Sequence, residues 1–220
     1  MFPLYDTVRS HKFPVINLLL IGLNALAFSR EIGMEPAELQ NFIVANGLIP
    51  AEFLSDPSNE WLTILSSMFL HGGWFHIISN MWVLFIFGDN IESHMGGFRY
   101  LFFYLLSGTA AGLLQTYVLP SSQVPMIGAS GAVAGVLGAY LILYPNSRVA
   151  SLVPIFFIFT LVEIPAFIFL VFWFISQLYS GLFSIQGEAS GIAWWAHVGG
   201  FLFGVIIASF FGRRTTYRSL

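Results

Sequence analysis

The sequence predicts an all-α fold. It reads as a polytopic membrane protein, a six-transmembrane-helix bundle with a long, partly helical first outward loop and a short, sunken fourth helix. Two observations carry this. Of 220 residues, 57% are hydrophobic and 9% charged, with a mean hydropathy of +0.80. A soluble domain needs about 25% charged residues to cover its wet surface. The apolar residues also gather into six runs, and about 20 apolar residues as helix cross a bilayer.

Taken in order, residues 1–12 are polar and mixed, and are expected as a cytoplasmic N-terminal segment. The run at 13–29 has no small-residue cleavage motif behind it, so it is expected to stay as the first span rather than be removed. Residues 30–73 form a loop in which the acids, the prolines and stretches such as 39–53 predict short helices at the interface. Further spans are expected at 74–91, 98–118, 129–144, 150–180 and 192–211, with Pro145 stopping the fourth. Residues 13–212 then make the membrane domain and 213–220 a cytoplasmic basic tail.

Arg9, Lys12, Arg99, Arg148, Arg213, Arg214 and Arg218 all fall on the side of the termini, and only Arg30 falls opposite. Basic residues mark the cytoplasmic face, so both termini are expected there, with the first loop and the loop at 181–191 facing outward. The short N-terminus points to a prokaryotic plasma membrane. The net charge of −3 leaves no basic footprint for nucleic acid. The absence of cysteine excludes disulfides, thiolate metal sites and a cysteine nucleophile. There is no His-Glu-x-x-His, and no carboxylate at ligand spacing near His76 or His197, so neither metal nor cofactor is expected.

Polar groups inside spans are costly and mark function. Here they are His76 and Asn80 in span two, Ser130 in span four, Glu163 and Gln177 in span five, and His197 in span six. From Ser130 to Tyr144 span four covers roughly 22 Å at the helical rise. Against a hydrocarbon core of about 30 Å, Ser130 lies roughly 8 Å below the outer face. His197 and His76 fall at a similar depth by the same count, so three helices contribute polar groups to one layer. Gly131-xxx-Gly135 and Gly200-xxx-Gly204 are small faces that let two helix backbones approach. Glu163 precedes Pro165 and is expected to bond backbone that the proline frees.

Three motifs, His71-Gly72-Gly73-Trp74-Phe75-His76-Ile77-Ile78-Ser79-Asn80, Gly128-Ala129-Ser130-Gly131 and Ala196-His197-Val198-Gly199-Gly200, occur in this order and together resemble the rhomboid family of intramembrane serine proteases over about residues 10–212. The first is similar to its loop histidine followed by His-xxx-Asn. The second is similar to its Gly-x-Ser-Gly, and the third, running to Gly204, to its last-helix histidine with Gly-xxx-Gly. The resemblance implies a serine endopeptidase that cuts transmembrane segments of other membrane proteins through a Ser-His dyad and an acyl-enzyme. Ser130 would be nucleophile and His197 general base. His76, Asn80 and the Ser130 backbone N–H would form the oxyanion hole. His71 would hold the first loop, and Gly199 or Gly200 would pack. Substrate would approach between spans two and five, with Trp173, Phe174 and Gln177 as candidate gate residues. Partners would be transmembrane protein substrates and membrane lipid.

The position four residues after the serine holds a tyrosine in some bacterial members and Ala134 here. Phe201 or Trp173 is expected to supply the missing aromatic. The alternative function is a catalytically inactive rhomboid-like protein that binds transmembrane segments for quality control. Such relatives typically lack the serine or the histidine, and this chain keeps both. A transporter reading would call for an inverted repeat, and none is visible.

Overall fold

The structure is a computed structural model that describes residues 2–8, 10, 12–155, 158–184 and 191–212. Arg9, Glu188, Arg213, Arg214, Arg218 and the expected tail 213–220 lie outside the described residues.

Six helices of fourteen or more residues form the bundle among the described residues: α1 (Val15–Glu31), α6 (Trp74–Met95), α7 (Gly97–Val118), α8 (Ser130–Leu143), α9 (Ala166–Ser184) and α10 (Trp194–Ser209). Between α1 and α6 lie the short helices α2 (Pro36–Asn46), α3 (Pro50–Ser55), α4 (Pro57–Glu60) and α5 (Thr63–Ser66), then a 3-10 turn, Ser67–Phe69. Proline opens α2, α3 and α4, where its missing N–H costs nothing. By length and apolar composition, α7 and α9 suit a membrane crossing, and α6 joins them if taken with the segment Thr63–Phe69, bent 94° from it. α8 and α10 are shorter apolar helices.

The start of α1 has no cap from its own side chains. The Glu92 carboxylate, from the far end of α6, accepts the Ile16 and Asn17 N–H groups at 3.1 and 2.8 Å. That contact satisfies orphan donors and puts negative charge at a helix N-terminus.

The centre of the bundle is α8. Every residue from Gly131 to Tyr140 is buried, as expected of a helix apolar on all sides. Its neighbour α10 approaches closely where glycines of the two helices meet. A Cβ on Gly200 would strike the Gly131 carbonyl, and one on Gly204 would strike the Gly135 carbonyl. Both obstacles are backbone and cannot rotate away, so Gly200→Ala is expected to destabilise by about 1–3 kcal/mol, the usual cost of overpacking. Thermal melting in detergent measures this, and an unchanged midpoint would mean the helices are not held at this spacing.

Two expectations are corrected here. The fold is not all-α, and the fifth span does not begin at 150. Strands β2 (Arg148–Ile155) and β3 (Ile158–Pro165) pair antiparallel, and β1 (Phe2–Asp6) joins the other edge of β2 in the order β1-β2-β3. Val149, Val153, Ile155, Ile158, Val162 and Ile164 are β-branched and stiff at χ1, which suits a pleated surface better than a helix. Hydropathy cannot make that distinction, because both faces of the run are apolar. Glu163 therefore lies exposed on β3 rather than inside a span, and its backbone carbonyl accepts from Arg148 Nη1. No backbone freed by Pro165 needs it. Gly181, expected in the loop at 181–191, lies in a helix instead. It is buried within α9, and its carbonyl accepts from Trp195 Nε1 at 3.0 Å. Residues 185–190 of that expected loop lie outside the described residues.

The segment 1–12 is also more than a leader to the bundle. Trp82 Nε1 donates to the Pro3 carbonyl at 2.7 Å. Asp6 accepts from Asn90 Nδ2 at 2.8 Å and from the Tyr140 hydroxyl. Burial pushes the Asp6 carboxyl up to about 7, against the lowering effect of the Tyr140 bond. Between its unfolded value and about 7, the folded chain keeps a proton that the unfolded chain releases. Stability from this group is whole at low pH and falls as pH rises through that window. Asp6→Asn keeps an accepting oxygen and removes the titration, so it is expected to flatten the drop in melting temperature between about pH 5 and about pH 8. An equal drop in both proteins would assign the dependence to another group.

Candidate active site

Ser130 is the first residue of α8, and the loop before it is held by the segment between α1 and α6. Leu48 and Met126 exchange backbone hydrogen bonds of 3.0 and 2.8 Å, and Ala51 N–H donates to the Ser122 carbonyl. Gly128 N–H donates to the Ser67 carbonyl at 2.8 Å. At φ +118°, Gly128 adopts a backbone conformation that side chains disfavour. Ser130 is left half-buried at the N-terminus of α8, where free N–H groups and the helix dipole favour negative charge. It lines a cavity of about 10 Å³ with Ser67, Gly128, Ala193 and Ala196. That is room for about one water.

His76 stands over this loop. A Cβ built on Gly128 would lie 2.6 Å from both His76 Cε1 and Nε2. Its other nitrogen, Nδ1, accepts from the Gly72 N–H at 3.3 Å. A neutral imidazole has one N–H, so that hydrogen belongs on Nε2, the edge facing Gly128. Asn80, one turn on, is buried and spends one amide hydrogen on the His76 carbonyl at 2.9 Å, keeping a second. His71 is buried, edge-on to His76 with ring centroids 5.0 Å apart. Its backbone N–H meets the buried Glu31 carboxylate at 3.1 Å, which ties the loop to α1.

His197 lies in the first turn of α10. Its Nδ1 is 2.8 Å from Gln177 Oε1 of α9. Trp173 lies 6.0 Å away, tilted 33°, and Trp194 meets the ring edge-on at 5.9 Å. Trp173 thus supplies an aromatic where Ala134 cannot. Phe201 packs one layer further, 5.9 Å from Trp173. Of the expected gate residues, Trp173 and Gln177 turn to His197, while Phe174 stacks on Phe201 at 4.7 Å. Of the glycines singled out, Gly200 faces Gly131 and Gly204 faces Gly135 across α8 and α10. Gly199 faces Leu114 and the Ala110 carbonyl of α7.

The two halves approach closely. Gly131, next to Ser130, would place a Cβ 3.7 Å from the carbonyl of Ala196, next to His197. Among the described residues no hydrogen bond joins Ser130 Oγ to His197. Catalytic bonds of this kind often tighten only with substrate bound. One contributor escaped the sequence reading. Gln115 of α7 is buried, and its Oε1 accepts the Ala196 N–H at 3.2 Å, pinning the turn that carries His197. Its signal was a lone glutamine in an apolar helix, the same kind that marked Gln177.

A mostly helical chain with helices suited to crossing a membrane, and with a serine that opens a buried apolar helix, is the class these elements define. The chain belongs to the rhomboid family, whose Rhomboid domain profile matches residues 58–214. It is 40% identical over 75 residues to Rhomboid-like protein 11, chloroplastic, of Arabidopsis thaliana, covering 34% of this chain and 26% of that one. It is 26% identical over 215 residues to Rhomboid protein 1, mitochondrial, of Saccharomyces cerevisiae, covering 93% of this chain and 55% of that one. With Rhomboid protease GluP of Bacillus subtilis the identity is 28% over 134 residues, covering 61% of this chain and 24% of that one. The chain thus spans about half or less of the length of these curated relatives. The family is integral to membranes. Chloroplastic and mitochondrial relatives stand beside the bacterial one, so the expectation of a prokaryotic membrane finds no support in them.

Proposed function

We propose that the chain is an intramembrane serine endopeptidase that cuts transmembrane segments of other membrane proteins. One observation carries the reading: Ser130 opens a buried helix two residues after Gly128, which faces the donor edge of His76, and one residue before the contact between Gly131 and the His197 turn. In this mechanism Ser130 Oγ attacks the scissile carbonyl and His197 takes its proton. The oxyanion receives His76 Nε2–H, the free Asn80 amide hydrogen and the Ser130 N–H. His197 then protonates the leaving amine, and water hydrolyses the acyl-enzyme. All six long helices cross the bilayer, both termini are cytoplasmic, and the site opens outward. Substrate segments approach from the lipid near Phe174. They carry residues that unwind readily, because a backbone locked in helix bonds cannot reach the serine.

The test is cleavage of a single-span reporter in liposomes. Wild type is expected to cut within or near the reporter's membrane segment, and Ser130→Ala is expected not to. Cutting by both would move the nucleophile elsewhere. Reporter binding without cutting, across several reporters, would favour the quality-control alternative.

A further inference from the structure

Histidine serves as a base only through a nitrogen without a hydrogen, and the surroundings of His197 select which nitrogen that is. Its Nδ1 is 2.8 Å from one end of the Gln177 amide. The other end of that amide identifies the first. It lies 2.9 Å from Ser176 Oγ and 3.4 Å from the Trp173 carbonyl. Ser176 gives its own hydrogen to that same carbonyl at 2.6 Å. Two acceptors therefore face this end of Gln177, which must be the nitrogen. Turned over, the amide would set oxygen against oxygen with no proton between. The end facing His197 is then oxygen, which only accepts.

We propose that Gln177 is a positioning residue that holds His197 as the Nδ1–H tautomer, leaving the Nε2 lone pair to take the Ser130 proton. This deepens the dyad reading and rests on it. As Ser130 Oγ bonds to the scissile carbon, its proton passes to Nε2, and the same proton later goes to the leaving amine. The Nδ1 hydrogen stays on His197 throughout, donated to Gln177 Oε1. A neutral amide thus fills the orienting place that a buried carboxylate fills in a Ser-His-Asp triad. Trp173, tilted 33° to the ring, and Trp194, edge-on to it, hold the ring plane. Among the described residues, His76 of α6 is the one titratable group that acts on His197 through charge.

The tests use the full chain in liposomes. Gln177→Leu keeps the volume and removes the acceptor. It is expected to lower kcat by about 10²-fold with KM little changed, the scale of a lost proton-transfer contribution. Gln177→Glu keeps the acceptor and adds charge. It is expected to retain cleavage and to raise the acid limb of the kcat/KM profile by about one pH unit or more, because a carboxylate favours the imidazolium. Wild-type kcat in Gln177→Leu would overturn the proposal, as would an unmoved acid limb in a Gln177→Glu that cuts. Nitrogen-15 shifts of the His197 ring report the tautomer in wild type and Ser130→Ala whether or not anything is cut. Nε2–H there would overturn the assignment. Nδ1–H in a wild type that cuts no reporter would uphold the assignment and sink the protease reading instead.

Discussion

Removing Ser130 and His197 together is expected to cost no more activity than removing either one. Each single substitution by alanine should lower kcat for a reporter in liposomes on the order of 10⁴- to 10⁶-fold, and the double variant should fall no further. The reason is chemical. Without His197 the Ser130 hydroxyl keeps its proton and is a weak nucleophile, and without Ser130 the His197 base has nothing to activate. The residual rate then comes from the oxyanion donors and from binding, on the order of 10³ over water. No hydrogen bond joins the two side chains among the described residues, and the bond that couples them is expected to form with substrate in the site. Losses that multiply in the double variant would mean the two residues act independently, and the dyad would not stand.

Much of this was legible because membrane burial leaves few reasons for a polar residue. His76, Asn80, Ser130 and His197 stood out against apolar runs, and a helical rise applied to each put them in one layer. The small faces Gly131–Gly135 and Gly200–Gly204 were legible for the same reason, and they meet as their spacing predicts. What failed was the nature of the fifth run. At 150–180 it was longer than a bilayer needs, and Pro154 and Pro165 interrupted it. Those were the signs of a hairpin before the helix, but hydropathy scores valine alike in either form. The pairing of Leu48 with Met126 was not legible at all, because a single bridge between two irregular loops has no period. Gln177 was visible as polar, yet a sequence names a donor or acceptor without naming its partner. The sequence reading put it at a gate; the structure sets its Oε1 2.8 Å from His197 Nδ1.

Gly128→Ala is expected to disable the site while leaving the bundle largely intact. The substitution acts twice at one atom. At φ +118° a Cβ is strained wherever it points, at a cost on the order of 1–3 kcal/mol. Here it would also point at His76, 2.6 Å from Cε1 and Nε2. The imidazole has to leave, and with it the hydrogen proposed for the oxyanion. Loss of one such donor costs about 10²–10³ in kcat. Gly128 also gives its N–H to the Ser67 carbonyl, a bond alanine retains, so the loop stays attached to the segment between α1 and α6. A double variant with His76→Ala separates the two effects. If alanine at 128 acts by displacing the imidazole, then once that ring is gone it adds little further loss in kcat, and the two substitutions are strongly non-additive. Additive losses would instead assign the effect to backbone strain at the serine. A Gly128→Ala enzyme with the wild-type kcat would mean that His76, where it stands, does not serve the oxyanion.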